Sequence, residues 1–114
     1  MPRLHRGKTK ELTGSAVVFA ALGDETRLRL VSRLCTGGPM SIAKLADGFA
    51  ISRQAITKHL RVMEDAGLLR STQEGRESVW QVEQRRLADA RRYLQMISSE
   101  WDQTLGRLKS FVER

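Results

Sequence analysis

Residues 41–69, SIAKLADGFAISRQAITKHLRVMEDAGLL, decide the fold, because two short amphipathic helical patterns follow one another across a polar break. Ser41 suits a helix N-cap, Ile42, Leu45 and Ala46 line one helical face, and Asp47-Gly48 ends the run where glycine accepts a left-handed conformation. Ser52 starts a second helix in which Ile56, Leu60 and Met63 recur at steps of four and three, which places them on one buried stripe. Arg53, Gln54, Thr57, Lys58 and Arg61 fall on the opposite face. Arginine pairs bidentately with guanine, glutamine with adenine, threonine bonds either, and lysine neutralises phosphate. The pattern reads as a helix-turn-helix whose polar face carries side chains able to read base edges and neutralise phosphates.

The segment that follows sharpens this reading. Ala66-Gly67 ends the second helix, and residues 68–73 and 76–82 form two strand-like runs around Glu74-Gly75. Leu69, Val79, Trp80 and Val82 supply apolar contacts for this hairpin, while Arg70 and Arg76 flank its turn as candidate phosphate or minor-groove contacts. Helix-turn-helix plus basic hairpin predicts a mainly α fold with a small β-hairpin, a winged helix-turn-helix.

At 114 residues and 40% apolar content the chain allows one domain with a modest core. Its single cysteine, Cys35, excludes an internal disulfide and fits a reducing cytoplasm; it is expected as a small buried apolar residue. No apolar run reaches membrane-spanning length and no signal-peptide core follows the N-terminus, so a cytoplasmic protein without a membrane partner is expected. The net charge of +7 points to a polyanion. It is uneven: residues 1–63 carry eleven basic and four acidic side chains, residues 64–114 nine of each. Arg27, Arg29 and Arg33 belong either to this basic surface or simply to the solvated face of a helix.

Residues 1–11, with Arg3, Arg6, Lys8 and Lys10, read as a disordered basic tail, acting either as a solubilising segment or as an arm along DNA; residues 12–114 form the domain. Ala16 to Leu22 is a short apolar helix, broken at Gly23. Asp24 caps the next helix, whose core-facing stripe is expected to be Leu28, Val31, Leu34 and Cys35, and Thr36-Gly37-Gly38-Pro39 ends it. From about Gln84 to Val112 one long helix is predicted, with Leu87, Ala90, Leu94, Ile97, Trp101, Leu105, Leu108 and Val112 at helical spacing. About 28 residues span roughly 42 Å, more than so small a domain can cover. The same helix of a second subunit is the economical partner, making a homodimer whose interface holds Leu94, Ile97, Trp101, Leu105 and Leu108, with Val17 added from the short helix at about 15–22.

With these elements in order the chain resembles the ArsR/SmtB family of winged helix-turn-helix repressors. AVVFAALGDETRLRLVSRL, residues 16–34, is similar to the family's opening "ALadpTRlrIL" pattern, with Glu25 where proline is usual. SRQAITKHLRVMEDAGLL, residues 52–69, resembles the "vSkHLrvLeeaGLv" recognition helix, and EGRESVWQV resembles the wing. The resemblance implies that Arg53, Gln54, Thr57 and Lys58 face the major groove, that Ser52, His59 and Arg61 lie near the DNA backbone, and that Arg76 sits on the wing. The family commonly senses metals through a "ELCVCDL" box or through ligands in the last helix. Here the box positions are Ser41 and Ala43, and the last helix holds no histidine. His5, Cys35 and His59 have no ligand spacing, so no metal and no cofactor are expected, and the effector stays open.

The function expected is a sequence-specific DNA-binding regulator, a homodimeric repressor on an inverted-repeat operator in double-stranded DNA. Two alternatives remain: a non-specific architectural DNA binder, and a winged-helix protein-interaction module, which the absence of acidic residues from 52–61 disfavours. Nothing suggests an enzyme, since there is no nucleophile with a nearby base, no carboxylate pair and no phosphate-binding glycine loop.

Overall fold

The computed structural model describes residues 6–113, with side chains from residue 14 onward. The chain order is α1 (Arg6–Leu22), α2 (Glu25–Gly37), β1 (Met40–Ser41), α3 (Ile42–Ala46), α4 (Arg53–Asp65), β2 (Leu69–Glu74), β3 (Glu77–Val82) and α5 (Gln84–Val112). The helix-turn-helix is α3 and α4, the wing is the β2–β3 hairpin, and the long terminal helix has the expected bounds.

Local sequence explains each boundary. Asp24 accepts from the Arg27 backbone N–H at 3.0 Å, Ser41 from that of Lys44 at 3.4 Å, and Ser52 from that of Ala55 at 3.1 Å, so α2, α3 and α4 start on side-chain caps, whereas α5 starts at Glu83 without one. The hairpin turn sits one residue later than expected. Glu74 pairs with Glu77, leaving Gly75-Arg76 as the loop, and Gly75 takes φ +63° while Arg76 stays at negative φ. Glycine at the first central position matches the strand twist as a type II′ turn does. A third strand, β1, joins the sheet in the order β1-β3-β2, pairing Met40 with Trp80 and Ser41 with Val79.

One core underlies both halves. Leu30 and Leu34 of α2, Leu45 of α3, Ile56, Leu60 and Met63 of α4, and Leu68, Leu69 and Trp80 of the wing are buried together with Val18 of α1 and Ala90 of α5. At ~25 cal/mol per Å² of apolar surface, each fully buried Leu or Ile stabilises the fold by about 1.5–3 kcal/mol. The three α4 residues therefore hold the second helix of the motif by its predicted stripe, and its opposite face is left to solvent.

Three expectations fail. The helix expected at 16–22 begins at Arg6, so residues 6–11 are helical and not disordered; residues 1–5 lie outside the described residues. A preformed helix docked through Ser15, Val18 and Ala21 extends backward at small cost, since nucleation is already met. In α2, Leu28 is half-exposed and Cys35 is exposed, whereas Leu30 is fully buried. Leu28 and Leu30 lie two residues apart, on nearly opposite sides of a helix, and the observed phase puts Leu30 inward.

The overhang expected of the long helix is present. Leu87 and Ala90 pack on the core and Tyr93 meets Phe19 of α1, ring centroids 6.2 Å apart, but beyond them Leu94, Ile97, Trp101, Leu105 and Leu108 are exposed, as is Val17 on α1. Val112 continues this apolar face and Phe111 borders it, while Met96 is exposed on the other side of the helix. α5 continues through Gly106 as one 29-residue helix, about 43 Å long at 1.5 Å per residue, in a molecule 65 × 33 × 20 Å overall.

Candidate nucleic-acid interface

The face of α4 opposite its buried stripe carries Arg53, Gln54 and Lys58 in full exposure, with Thr57 half-buried between them. The Thr57 hydroxyl donates to the Arg53 carbonyl at 2.9 Å, which orients it along the helix while its oxygen can still accept. Arg53, Thr57 and Arg61 form one row at four-residue steps, and this row borders the wing. Together with Ser41 and Ala43 of the β1–α3 segment and Arg76, Ser78 and Trp80 of the wing they line a groove of about 350 Å³. Three guanidinium groups and several hydroxyls against a single carboxylate, Glu77, leave this open groove net positive and suited to phosphate oxygens.

The floor of that groove is Trp80, buried to 2% exposure, with the Arg61 guanidinium 5.6 Å from its ring centroid. Arg61 also pairs with Glu64 at 3.1 Å, and Ser71 donates to the other Glu64 oxygen at 2.7 Å. The Ser71 hydroxyl first, then Arg61, hold the Glu64 carboxyl below its ordinary value, so it is a fixed negative charge that anchors Arg61 between α4 and the wing.

The remaining candidates divide. Ser52 is exposed, with its oxygen engaged as the α4 cap. Arg76 projects at the hairpin tip. Arg70 does not flank the turn: it lies at the base of β2, exposed, 4.0 Å from Glu83, far from the groove-lining set. His59 is turned away from the reading face and packs against the start of α2, its Nδ1 3.3 Å from Arg27 Nη1 and 3.8 Å from Asp24 Oδ2. The family resemblance implied a place near the DNA backbone for it; the helical phase of Ile56 and Leu60 puts it on the flank of α4 that meets α2.

All three α2 arginines make contacts within the fold. Arg33 donates to the carbonyls of Leu45 and Asp47, satisfying the end of α3, and with Arg29 it brackets the Phe49 ring at 5.4 and 4.7 Å. Arg27 donates to the Ala21 carbonyl at the end of α1 as well as to His59. No spacing rule marks these contacts, which arise only when α1, α2 and α4 meet. Among the described residues, no three His, Cys, Asp or Glu side chains gather as a metal-ligand set, and no helix is long and apolar enough to cross a membrane.

A reading helix beside a three-stranded sheet whose β2–β3 hairpin is the wing, with a basic groove between them, defines a winged helix-turn-helix DNA-binding protein. Comparison with known proteins agrees. A helix-turn-helix domain family matches residues 22–72. The chain is 34% identical over 98 residues to the HTH-type transcriptional regulator Rv2034 of Mycobacterium tuberculosis, covering 75% of this chain and 91% of that one. An ArsR-like transcriptional regulator from Rhodococcus sp. RHA1 superimposes with a TM-score of 0.71 at 37% identity, covering 88% and 93% of the two chains. A homodimeric winged helix-turn-helix DNA-binding domain from Mycobacterium bovis shares the fold, with a TM-score of 0.64 at 20% identity over 88% and 92% of the two chains. The chain belongs to the ArsR family of winged helix-turn-helix transcriptional regulators and is a DNA-binding regulator.

Proposed function

We propose that the protein is a homodimeric repressor in which two α4 helices enter successive major grooves of an inverted-repeat operator, about 34–36 Å apart, while the two wings lie on flanking backbone. The observation that carries this reading is the solvent-facing set Arg53, Gln54 and Lys58 on a helix seated on the core by Ile56, Leu60 and Met63. Arg53 and Gln54 read base edges, Thr57 and Lys58 complete the set, and Arg61 and Arg76 bind phosphates on either side of the groove. Ser52 adds a hydroxyl donor to the backbone at the start of α4. Arg70, paired with Glu83, is left at most a peripheral phosphate contact.

Dimerisation rests on the uncovered apolar stripe of α5 from Leu94 to Leu108 together with Val17. The Mycobacterium bovis domain is described as homodimeric; for this chain the pairing is argued from its own stripe. A dimer bound across a promoter excludes polymerase, and repression follows from occupancy. Any signal must bind the DNA-competent and DNA-incompetent arrangements unequally, since equal binding shifts nothing.

The test is selection of bound sequences from a random duplex library at near-physiological salt, with oligomeric state measured on the same sample. Enrichment of an inverted repeat by a dimer is the expected result. Salt-sensitive binding to any duplex without enrichment would leave an architectural DNA binder instead.

A further inference from the structure

The corner where α1 gives way to α2 touches the middle of the reading helix through polar groups. Asp24, in the two-residue link, caps α2 and lies 3.8 Å from His59 Nδ1. Arg27, one turn on, donates through Nε to the Ala21 carbonyl at the end of α1 and through Nη1, at 3.3 Å, toward His59 Nδ1. An arginine only donates, so a hydrogen bond at this contact requires Nδ1 as the acceptor. All three side chains are partly buried. Behind this corner, α1 packs on α5 through Phe19 and Tyr93 and presents Val17 beside the exposed stripe.

We propose that Arg27 and His59, with Asp24 accepting from the Arg27 backbone N–H, form a positioning lock that sets the angle of α4 relative to α1 and α5, and that neither Arg27 nor His59 is a DNA contact. The lock rests on the dimeric operator-binding reading above. His59 stands six residues from Arg53, about 9 Å along the helix axis at 1.5 Å per residue. A tilt of about 10° around His59 then moves Arg53 by about 1.6 Å, beyond the roughly 0.5 Å tolerance of a bidentate contact. The apolar stripe alone permits such rocking, because packing of Ile56, Leu60 and Met63 is non-directional, whereas hydrogen bonds at fixed length are not. A displacement of α1 in a dimer interface reaches α4 by the chain Ala21 carbonyl, Arg27, His59.

Isosteres of the imidazole decide the matter. His59→Asn keeps an acceptor near the Nδ1 position, His59→Gln keeps a polar atom near the Nε2 position, and His59→Leu keeps neither. Each is titrated with the selected operator over a salt series, with circular dichroism reporting fold, alongside Arg27→Gln. The expected result is near-wild-type affinity for His59→Asn and about tenfold weaker binding for the other three, the order of one lost hydrogen bond to a charged group. The slope of log K against log salt stays unchanged, because no phosphate contact is lost. Rescue by glutamine instead of asparagine, with the slope reduced by about 0.9 per contact, would make His59 a backbone contact and overturn the lock. Wild-type binding by His59→Leu would overturn it too, and this arm decides even if Arg27→Gln fails to fold. A wild-type protein that selects no sequence overturns the proposed function, and the lock with it.

Discussion

Trp101→Ala isolates the proposed dimer contact from the fold, because the side chain is 62% exposed in the single protomer and has little to lose there. A tryptophan buries about 200 Å² when enclosed, so roughly 120 Å² of this one is left for a partner. At ~25 cal/mol per Å² that surface is worth about 3 kcal/mol per protomer. A two-fold interface presents the residue twice, which gives about 6 kcal/mol as the upper limit and about 3 kcal/mol if only half the area is covered. The dimer dissociation constant should therefore rise by about 10² to 10⁴. Sedimentation equilibrium on wild type and variant measures it directly, and far-UV circular dichroism should be unchanged apart from the concentration dependence of the melting temperature. Operator binding should become steeply dependent on protein concentration, while binding to an isolated half-site should be retained. A dissociation constant altered by less than about threefold would refute the reasoning, placing the symmetry axis away from this part of α5.

Arg53→Ala should cost about 1–3 kcal/mol at one operator position and relax preference there, whereas Arg76→Ala should weaken all duplexes alike and lower the salt slope by about 0.9 per phosphate contact; fluorescence anisotropy on single-base operator variants separates the two. Glu64→Gln should remove part of the acid sensitivity of the fold. The carboxyl has an ordinary value near 4.5 and is held lower by Ser71 and Arg61, so its contribution is complete above about 4.5 and is lost as pH falls through the lowered folded value. Urea denaturation at pH 7 and at successive pH values below 4.5 should show the wild-type advantage shrinking toward zero, and an advantage that grows in acid would contradict the assigned partners. Gly67→Ala should destabilise by about 1–2 kcal/mol in urea denaturation, since Gly67 holds φ +79° and a Cβ there would lie 3.1 Å from Arg86 Nε.

How far the sequence could be read depended on whether one helix or strand alone fixes the answer. α4 was legible because its cap, its stripe and its polar face agree, and Gly67 closes it. α5 was legible for the same reason, including the stretch its own domain leaves uncovered. α2 was not, because RLRLV offers leucine on two nearly opposite faces and only the position of α4 chooses between Leu28 and Leu30. β1 escaped notice since a two-residue strand has no period, and it exists only because β3 offers an edge. The same division holds at the interface. Arg53, Gln54, Thr57 and Lys58 follow from helical phase, but the groove floor at Trp80, the Glu64 anchor and the Arg27–His59 contact join elements distant in sequence.

That division also changes what the positive charge means. The excess in residues 1–63 invites the view that every arginine there attracts DNA, yet the fold commits several of them elsewhere. Arg33 caps α3, Arg27 ties α1 to α4, and Arg61 is half-neutralised by Glu64. Among the described residues Arg53, Lys58 and Arg76 form no ion pair; Arg53 and Arg76 share the groove where α4 meets the wing, with Glu77 on its wing side, and Lys58 is exposed on the adjoining face of α4. A surface evolved only for non-specific attraction gains from charge anywhere, since screening falls off over about 8 Å at physiological ionic strength and orientation matters little. Few cations, presented from a helix seated on the core by its apolar stripe and interleaved with Gln54 and Thr57, instead favour contacts whose geometry discriminates between bases. The arrangement thus argues for sequence-specific regulation over architectural binding, and it places the burden of specificity on how firmly α4 is held.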